Sequence, residues 1–222
     1  YTTGNTLSLH DALPIWKSNF SNYFCGGNAS AYLYMRGKLP EAEQIVRHYA
    51  DDTIQNAVRD DDGIFSQPND ERNDKIWIDV AFAVTPFLLF AGLAFDEDKY
   101  IEEAYQQSAK MVRVLKDPEN GLVHQARGMQ APGKITEDHW SRGNGWAIHA
   151  LAELVNYLPD DDPRRPDSEK LFVDLVNACV EYQSTENWLW YQEIPDSKFT
   201  YYKRESYVET SGSGLILYAI GA

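Results

Sequence analysis

The stretch that decides the fold runs from Ile76 to Phe95 and reads IWIDVAFAVTPFLLFAGLAF. It is apolar on every side of a helix, which predicts a helix that is buried all round. The run is interrupted by Pro86 and Gly92. Its apolar part, Val80 to Phe95, also falls short of the ~20 clean apolar residues that a bilayer span needs. We therefore interpret it as a core helix and not as a membrane span.

Segments that are apolar all round alternate with amphipathic segments along the chain. The amphipathic helices are predicted over 40–57, 98–116 and 168–183, and the apolar ones over 76–95, 141–158 and 212–220. This order is expected when inner helices are covered on all sides and outer helices face water on one side. It favours an all-α toroid of helical hairpins, an α/α barrel, although a helical bundle or solenoid would give a similar sequence.

The composition excludes several classes of function. The chain has 222 residues and a net charge of −14, which argues against binding to the nucleic-acid backbone. The same charge repels an anionic ligand at long range, so local cations would have to overcome it. The two cysteines, Cys25 and Cys179, have no metal-ligand spacing. We expect two buried thiols, with a single disulfide as the alternative.

The sequence Trp140-Ser141-Arg142-Gly143-Asn144-Gly145-Trp146 carries the strongest functional signal. Indole faces stack on the apolar face of a sugar ring, and a guanidinium grips a carboxylate by two parallel bonds. Glycines allow backbone to come close to a bound group. The combination predicts a site for an acidic sugar. The alternative is that both indoles belong to the core and that Arg142 pairs with Asp138 or Glu137.

Asp79 is the only charged residue between Lys75 and Asp96. Desolvation at the start of a buried helix favours the protonated form of a carboxyl, which would make Asp79 a general acid near neutral pH. The alternative is a carboxylate that is stabilised by the helix N-terminus and therefore stays ionised.

Three further groups are weaker candidates. His124 follows Gly121 in a predicted loop, and His139 precedes Trp140; each is either a substrate ligand or a structural histidine. The sequence Glu209-Thr210-Ser211-Gly212-Ser213 is typical of a helix N-terminal cap, or forms a polar rim around a cavity. Tyr201, Tyr202 and Tyr207 either line a sugar site or pack on the end of the barrel.

The order of four motifs resembles the unsaturated uronyl hydrolases of glycoside hydrolase families 105 and 88. These motifs are Trp77-Ile78-Asp79, Gly121-Leu122-x-His124, Trp140 to Trp146 and Glu209-Thr210-Ser211. The resemblance covers roughly residues 22–222 and is greatest to family 105, the unsaturated rhamnogalacturonyl hydrolases. It implies an (α/α)6 barrel that hydrates the double bond of a 4,5-unsaturated uronic acid at the end of a lyase-generated oligosaccharide.

The resemblance also assigns residues to roles. It implies that Asp79 protonates C4 of the sugar and that His124, Trp140, Arg142 and Trp146 bind the substrate. It implies no metal and no organic cofactor, and a small oligosaccharide as the partner rather than nucleic acid or membrane. A second acidic residue is expected by spacing near residue 22, where the chain has Asn22 and no nearby Asp or Glu.

We expect residues 1–15 to be a leader foreign to the fold and residues 16–222 to be a partial barrel domain. An open barrel exposes apolar helix faces, and the chain alone is then expected to be unstable or inactive. Three other functions remain open. They are an unsaturated glucuronyl hydrolase of family 88 acting on glycosaminoglycan fragments, a catalytically silent carbohydrate-binding toroid, and a helical interaction protein.

Overall fold

The computed structural model describes residues 27–67, 72, 74–195 and 205–221. Within them, seven α-helices span most of the chain. They are α1 (Gly27–Met35), α2 (Glu43–Asn56), α3 (Asp79–Phe95), α4 (Asp98–Leu115), α5 (Ser141–Tyr157), α6 (Arg165–Val180) and α7 (Thr210–Gly221), with a 3₁₀ turn at Pro40–Ala42 before α2. The two short strands are β1 (Ile76–Trp77) and β2 (Ala126–Arg127). The leader, Asn22, Cys25, Tyr201 and Tyr202 lie outside the described residues.

The helices form two layers. The odd-numbered helices make an inner layer in which α1 packs on α3, α3 on α5, and α5 on α7. In the outer layer, α4 covers α3, α6 covers α5, and α2 packs more lightly on α1 and α3. The predicted alternation of inner and outer helices is therefore confirmed, together with the all-α class.

The helix that contains Pro86 starts three residues later than the sequence prediction had it. The helix begins at Asp79, because Ile76 and Trp77 form β1 instead of a first helical turn. It also continues through Pro86, which cannot donate to the carbonyl four residues earlier. That carbonyl, of Phe82, accepts a hydrogen bond from Asn28 Nδ2 of α1 at 3.3 Å. The proline is tolerated because the neighbouring inner helix satisfies the group that it releases.

Short extended segments bring the N-terminal ends of three inner helices to one rim. β1 precedes α3 directly and pairs antiparallel with β2. Isolated bridges continue the rim through Arg127 and Ile135, Trp140 and Glu193, and Tyr191 and Val208. The last two bridges lie just before α5 and α7. Because the helices start where these segments end, residues at the N-termini of α3, α5 and α7 face a common region.

The core is made mostly of aliphatic and aromatic side chains of the inner helices. Cys179, on α6, is a buried free thiol. Large apolar side chains are exposed on α1 (Leu33) and α7 (Leu217 and Ile220). None of the helices in the described part of the chain combines the length and the apolarity of a membrane span.

Candidate active site

Asp79 is the first residue of α3 and is only 5% exposed. Its Oδ2 is buried and has no hydrogen-bond partner among the described residues. Burial raises the pKa of Asp79 to about 6, although its own backbone N–H and the charge of Arg142 act in the opposite direction. The side chain is thus a carboxylic acid that holds its proton in slightly acidic solution and loses it near neutrality, with one oxygen free to act on a ligand.

Arg142 lies in the first turn of α5 and is partly exposed. Its Nη1 is 2.6 Å from Glu209 Oε1 and donates to Ser211 Oγ at 2.9 Å. Its guanidinium carbon lies 3.9 Å from the centroid of the Trp140 ring. Arg142 therefore forms its ion pair with Glu209. The alternative prediction from the sequence, a pair with Asp138 or Glu137, is wrong.

Glu209 organises this part of the rim. It is 4% exposed and accepts hydrogen bonds from Trp140 Nε1 at 2.9 Å, from Ser141 Oγ at 3.1 Å and from Ser211 Oγ at 2.7 Å. One carboxylate thus fixes the indole and the guanidinium while it satisfies its own charge. Sequence reasoning missed this role. The signal was present, because Glu209 precedes an apolar helix just as Asp79 does.

Trp146 lies one turn further along α5 than Arg142. Its ring packs on Phe82 with centroids 4.3 Å apart, and Phe82 is itself one turn along α3 from Asp79. The indole Nε1 of Trp146 is buried and has no partner among the described residues. Four of the predicted site residues are therefore grouped at the N-termini of α3 and α5. These are Asp79, Trp140, Arg142 and Trp146.

Two glycines, Gly145 in this motif and Gly212 in α7, lie at a close contact between helices. A Cβ on Gly145 would lie 2.7 Å from Leu215 Cβ, and a Cβ on Gly212 would lie 2.4 Å from Ser141 Oγ. Both positions belong to the contact between α5 and α7. These glycines let two inner helices approach each other closely, which brings Glu209 beside Arg142.

His124 makes its recorded contacts with His139 and Asp117 rather than with Asp79, the catalytic candidate. Its ring packs on His139 with centroids 4.4 Å apart, and its Nε2 is 3.9 Å from Asp117 Oδ2. His139 Nε2 is 2.8 Å from the same oxygen. Burial, and secondly the neighbouring His124, lower the pKa of His139. The cluster adjoins the rim because the backbone beyond it, at Gln125, accepts a bond from the N–H of Ile78.

A cavity of about 370 Å³ lies between the inner helices. Its walls include Phe82, Phe90, Tyr32, Tyr157 and Tyr218, and its polar groups include His149 and Glu153. Burial lowers the pKa of His149 to about 4 and raises that of Glu153. Because Phe82 contributes to both the cavity and the packing of Trp146, the cavity begins beside the candidate site.

The fold is a two-layered arrangement of helices whose rim carries a buried carboxyl, a partly exposed guanidinium and two indoles. The sequence profile described as Glycosyl Hydrolase Family 88 matches residues 5–222. The chain therefore belongs to that family, and the predicted resemblance is confirmed.

Two curated relatives of the chain are hydrolases. The "Unsaturated 3S-rhamnoglycuronyl hydrolase" of Formosa agariphila is 30% identical over 154 residues, which are 65% of this chain and 39% of the relative. The "Unsaturated rhamnogalacturonyl hydrolase YesR" of Bacillus subtilis is 26% identical over 147 residues, 66% of this chain and 40% of the relative. The matched segment thus spans about two fifths of each relative.

Solved structures show the same fold at lower identity. A family 105 glycoside hydrolase from C. acetobutylicum ATCC 824 superposes with a TM-score of 0.74 and 22% identity, covering 87% of this chain and 54% of the other. An unsaturated glucuronyl hydrolase from Bacillus sp. GL1 gives 0.68 and 18%, covering 91% and 54%. The chain spans about half the length of these structures.

Proposed function

We propose that the protein to which this chain belongs hydrates the double bond of a 4,5-unsaturated uronic acid at the non-reducing end of lyase-generated rhamnogalacturonan oligosaccharides. The single observation that carries the proposal is the buried Asp79 carboxyl, whose pKa is raised to about 6. It lies at a rim that also carries a partly exposed arginine and two indoles.

The proposed chemistry uses Asp79 in both of its protonation states. The neutral acid gives its proton to C4 of the enol ether, and the oxygen of a water molecule adds to C5. The Asp79 carboxylate then takes up the proton that this water loses, so that the acid is regenerated. The resulting hemiketal opens, and the bond to the remaining saccharide breaks. An acid with a pKa of about 6 suits this cycle, because it can both give and recover a proton near neutral pH.

The rim supports recognition of the uronate carboxylate. Arg142 is the local cation, and the N-termini of α3, α5 and α7 place backbone N–H groups and positive dipole ends at the same rim. These fixed charges act at short range, where they offset the long-range repulsion from a chain of net charge −14. Glu209 holds Arg142 in place for this contact and leaves the guanidinium partly exposed.

The indoles support recognition of the sugar ring. Arg142 covers one face of Trp140, and the Nε1 of Trp146 supplies a buried donor without a partner among the described residues. A sugar hydroxyl is the natural acceptor for such a donor. His124 remains a proposed substrate ligand through the family resemblance only, since its recorded contacts are with His139 and Asp117.

The names of the two curated relatives support a rhamnose-containing substrate over a glycosaminoglycan fragment. The test is to incubate the protein to which this chain belongs with an unsaturated galacturonyl-rhamnose disaccharide and, separately, with an unsaturated glucuronyl disaccharide. Loss of the ultraviolet absorbance of the double bond reports hydration. We expect faster loss with the first sugar. Binding measured by Trp fluorescence without any loss of absorbance would instead indicate a silent carbohydrate-binding toroid.

A further inference from the structure

Three metal-binding side chains converge beside the rim. Asp117 follows α4, His124 lies on the next turn, and His139 precedes α5. One ligand atom from each lies within 4.8 Å of the other two. His139 is buried, and Asp117 and His124 are half-buried, with 13% and 16% of their side chains exposed.

The geometry is close to that of a coordination sphere. Zinc binds His nitrogen and carboxylate oxygen at 2.0–2.2 Å, so two atoms that share an ion lie roughly 3 to 3.5 Å apart. Asp117 Oδ2 is 2.8 Å from His139 Nε2 and 3.9 Å from His124 Nε2. Small side-chain rotations would bring all three atoms onto a common ion.

The surroundings of Asp117 resemble the outer shell of a metal site. Its Oδ1 accepts the backbone N–H of Glu119 at 2.8 Å, and its Oδ2 accepts Asn120 Nδ2 at 2.9 Å. Ligating carboxylates are commonly oriented by such bonds. The second ring nitrogen of His124, Nδ1, is buried and has no such outer-shell bond among the described residues.

We propose that Asp117, His124 and His139 bind one divalent transition-metal ion of the zinc class. Two imidazoles and one carboxylate are ligands that such ions accept, and three protein ligands leave room for water in the remaining position. The net charge of −14 also attracts cations to the chain. This inference departs from the metal-free expectation of the family resemblance, because it assigns His124 to the ion in place of the substrate contact that the resemblance implies. It does not depend on the proposed hydrolase activity.

The bound ion would join two segments that lie between α4 and α5. Asp117 and His124 are part of the turn after α4, while His139 is adjacent to Trp140, whose indole is bonded to Glu209. Because the ion binds only the folded arrangement, it should stabilise the chain against unfolding.

The test is a titration of the metal-free 222-residue chain with Zn²⁺ by isothermal calorimetry and with Co²⁺ by visible absorption. The variants are His124→Gln and His139→Gln, in which an amide still forms hydrogen bonds. The matched control is His48→Gln, on the exposed face of α2. We expect one equivalent of ion in the parent and in the control, a Co²⁺ ligand-field spectrum, and a rise in Tm with Zn²⁺. Each site variant should bind at least about tenfold more weakly and lose the rise in Tm.

Two results would overturn the proposal. The first is a parent chain with the expected helical circular dichroism that binds no Zn²⁺ and shows no Co²⁺ spectrum. The second is binding that both site variants retain at the affinity of the His48→Gln control, which would place the ion elsewhere. Neither result bears on hydration of the sugar, since no substrate is present in the titration.

Discussion

Replacing Asp79 with Asn tests separately how the buried acid affects the stability of the fold and how it affects catalysis. The pKa of Asp79 is raised from 3.8 to about 6 because burial disfavours the carboxylate. At ~1.4 kcal/mol per pKa unit, the folded protein at neutral pH carries a cost of about 3 kcal/mol for ionising this group. A neutral amide of the same shape avoids that cost. Asp79→Asn should therefore stabilise the fold while it removes the proton donor.

The sign of the effect fixes its pH dependence. Between pH 4 and 6 the folded state binds more protons at this site than the unfolded state, so the parent loses stability as the pH rises through that window. Asp79→Asn should lack this loss. The difference in free energy of unfolding between the variant and the parent should be near zero at pH 4 and should approach about 3 kcal/mol in favour of the variant at pH 7. Urea unfolding of both proteins across this range measures it.

The effect of Asp79→Asn on catalysis is measured with the absorbance assay for the unsaturated sugar. Loss of a general acid costs typically 10²- to 10⁴-fold, so turnover by Asp79→Asn should fall at least about 100-fold. Asp61→Asn, in the exposed turn after α2, is the matched control and should change neither stability nor rate. Unchanged turnover in Asp79→Asn, or a variant that is less stable than the parent at pH 7, would refute the reasoning.

Three more predictions follow from the same structure. Glu209→Gln replaces a buried carboxylate that accepts a hydrogen bond from Trp140 and pairs with Arg142, so the free energy of unfolding measured with denaturant should fall by about 2 kcal/mol. KM should rise more than kcat falls. An unchanged unfolding midpoint would contradict the positioning role. Gly212→Ala should cost about 1–3 kcal/mol, because its Cβ would meet Ser141. Gly214→Ala, whose Cβ would meet no neighbouring element within 4 Å, should instead raise stability slightly, because alanine favours the helix. Equal midpoints for the two variants would contradict the close helix contact. Burial lowers the pKa of His149 from 6.5 to about 4, so the parent should lose stability as the pH falls from 6.5 to 4. The stability of His149→Gln should depend less on pH over this range. Parallel curves of stability against pH for the two proteins would count against the burial of His149.

The layers of the fold were predictable because the burial of a helix determines how apolar residues are distributed around it in the sequence. An inner helix such as α3 is covered on all sides and must be apolar on all sides, whereas α4 faces water and keeps a polar face. The boundaries near Trp77 were less predictable, because β1 forms only through pairing with β2, about 50 residues away. The helix was correctly predicted to run through Pro86, but the hydrogen bond from Asn28 on another helix, which satisfies the released carbonyl, could not be read from the sequence.

The site was predictable only where one residue stood out against its own neighbours. Asp79 and Trp140 to Trp146 stand out in this way. Glu209 was interpreted as a cap, because its role depends on Trp140 and Arg142, which are distant in sequence. The cavity residues His149 and Glu153 gave no signal, since a polar residue on a mostly apolar helix does not reveal which way it faces.

The central claim is that Asp79 is a buried acid that still holds its proton at mildly acidic pH. A carbon-detected NMR titration of the side-chain carboxyl resonances, assigned by comparison with Asp79→Asn, measures this directly. The account predicts a carboxyl that titrates near pH 6 and whose resonance is missing from the variant. A resonance that titrates near pH 4, as in an unburied aspartate, would contradict the account.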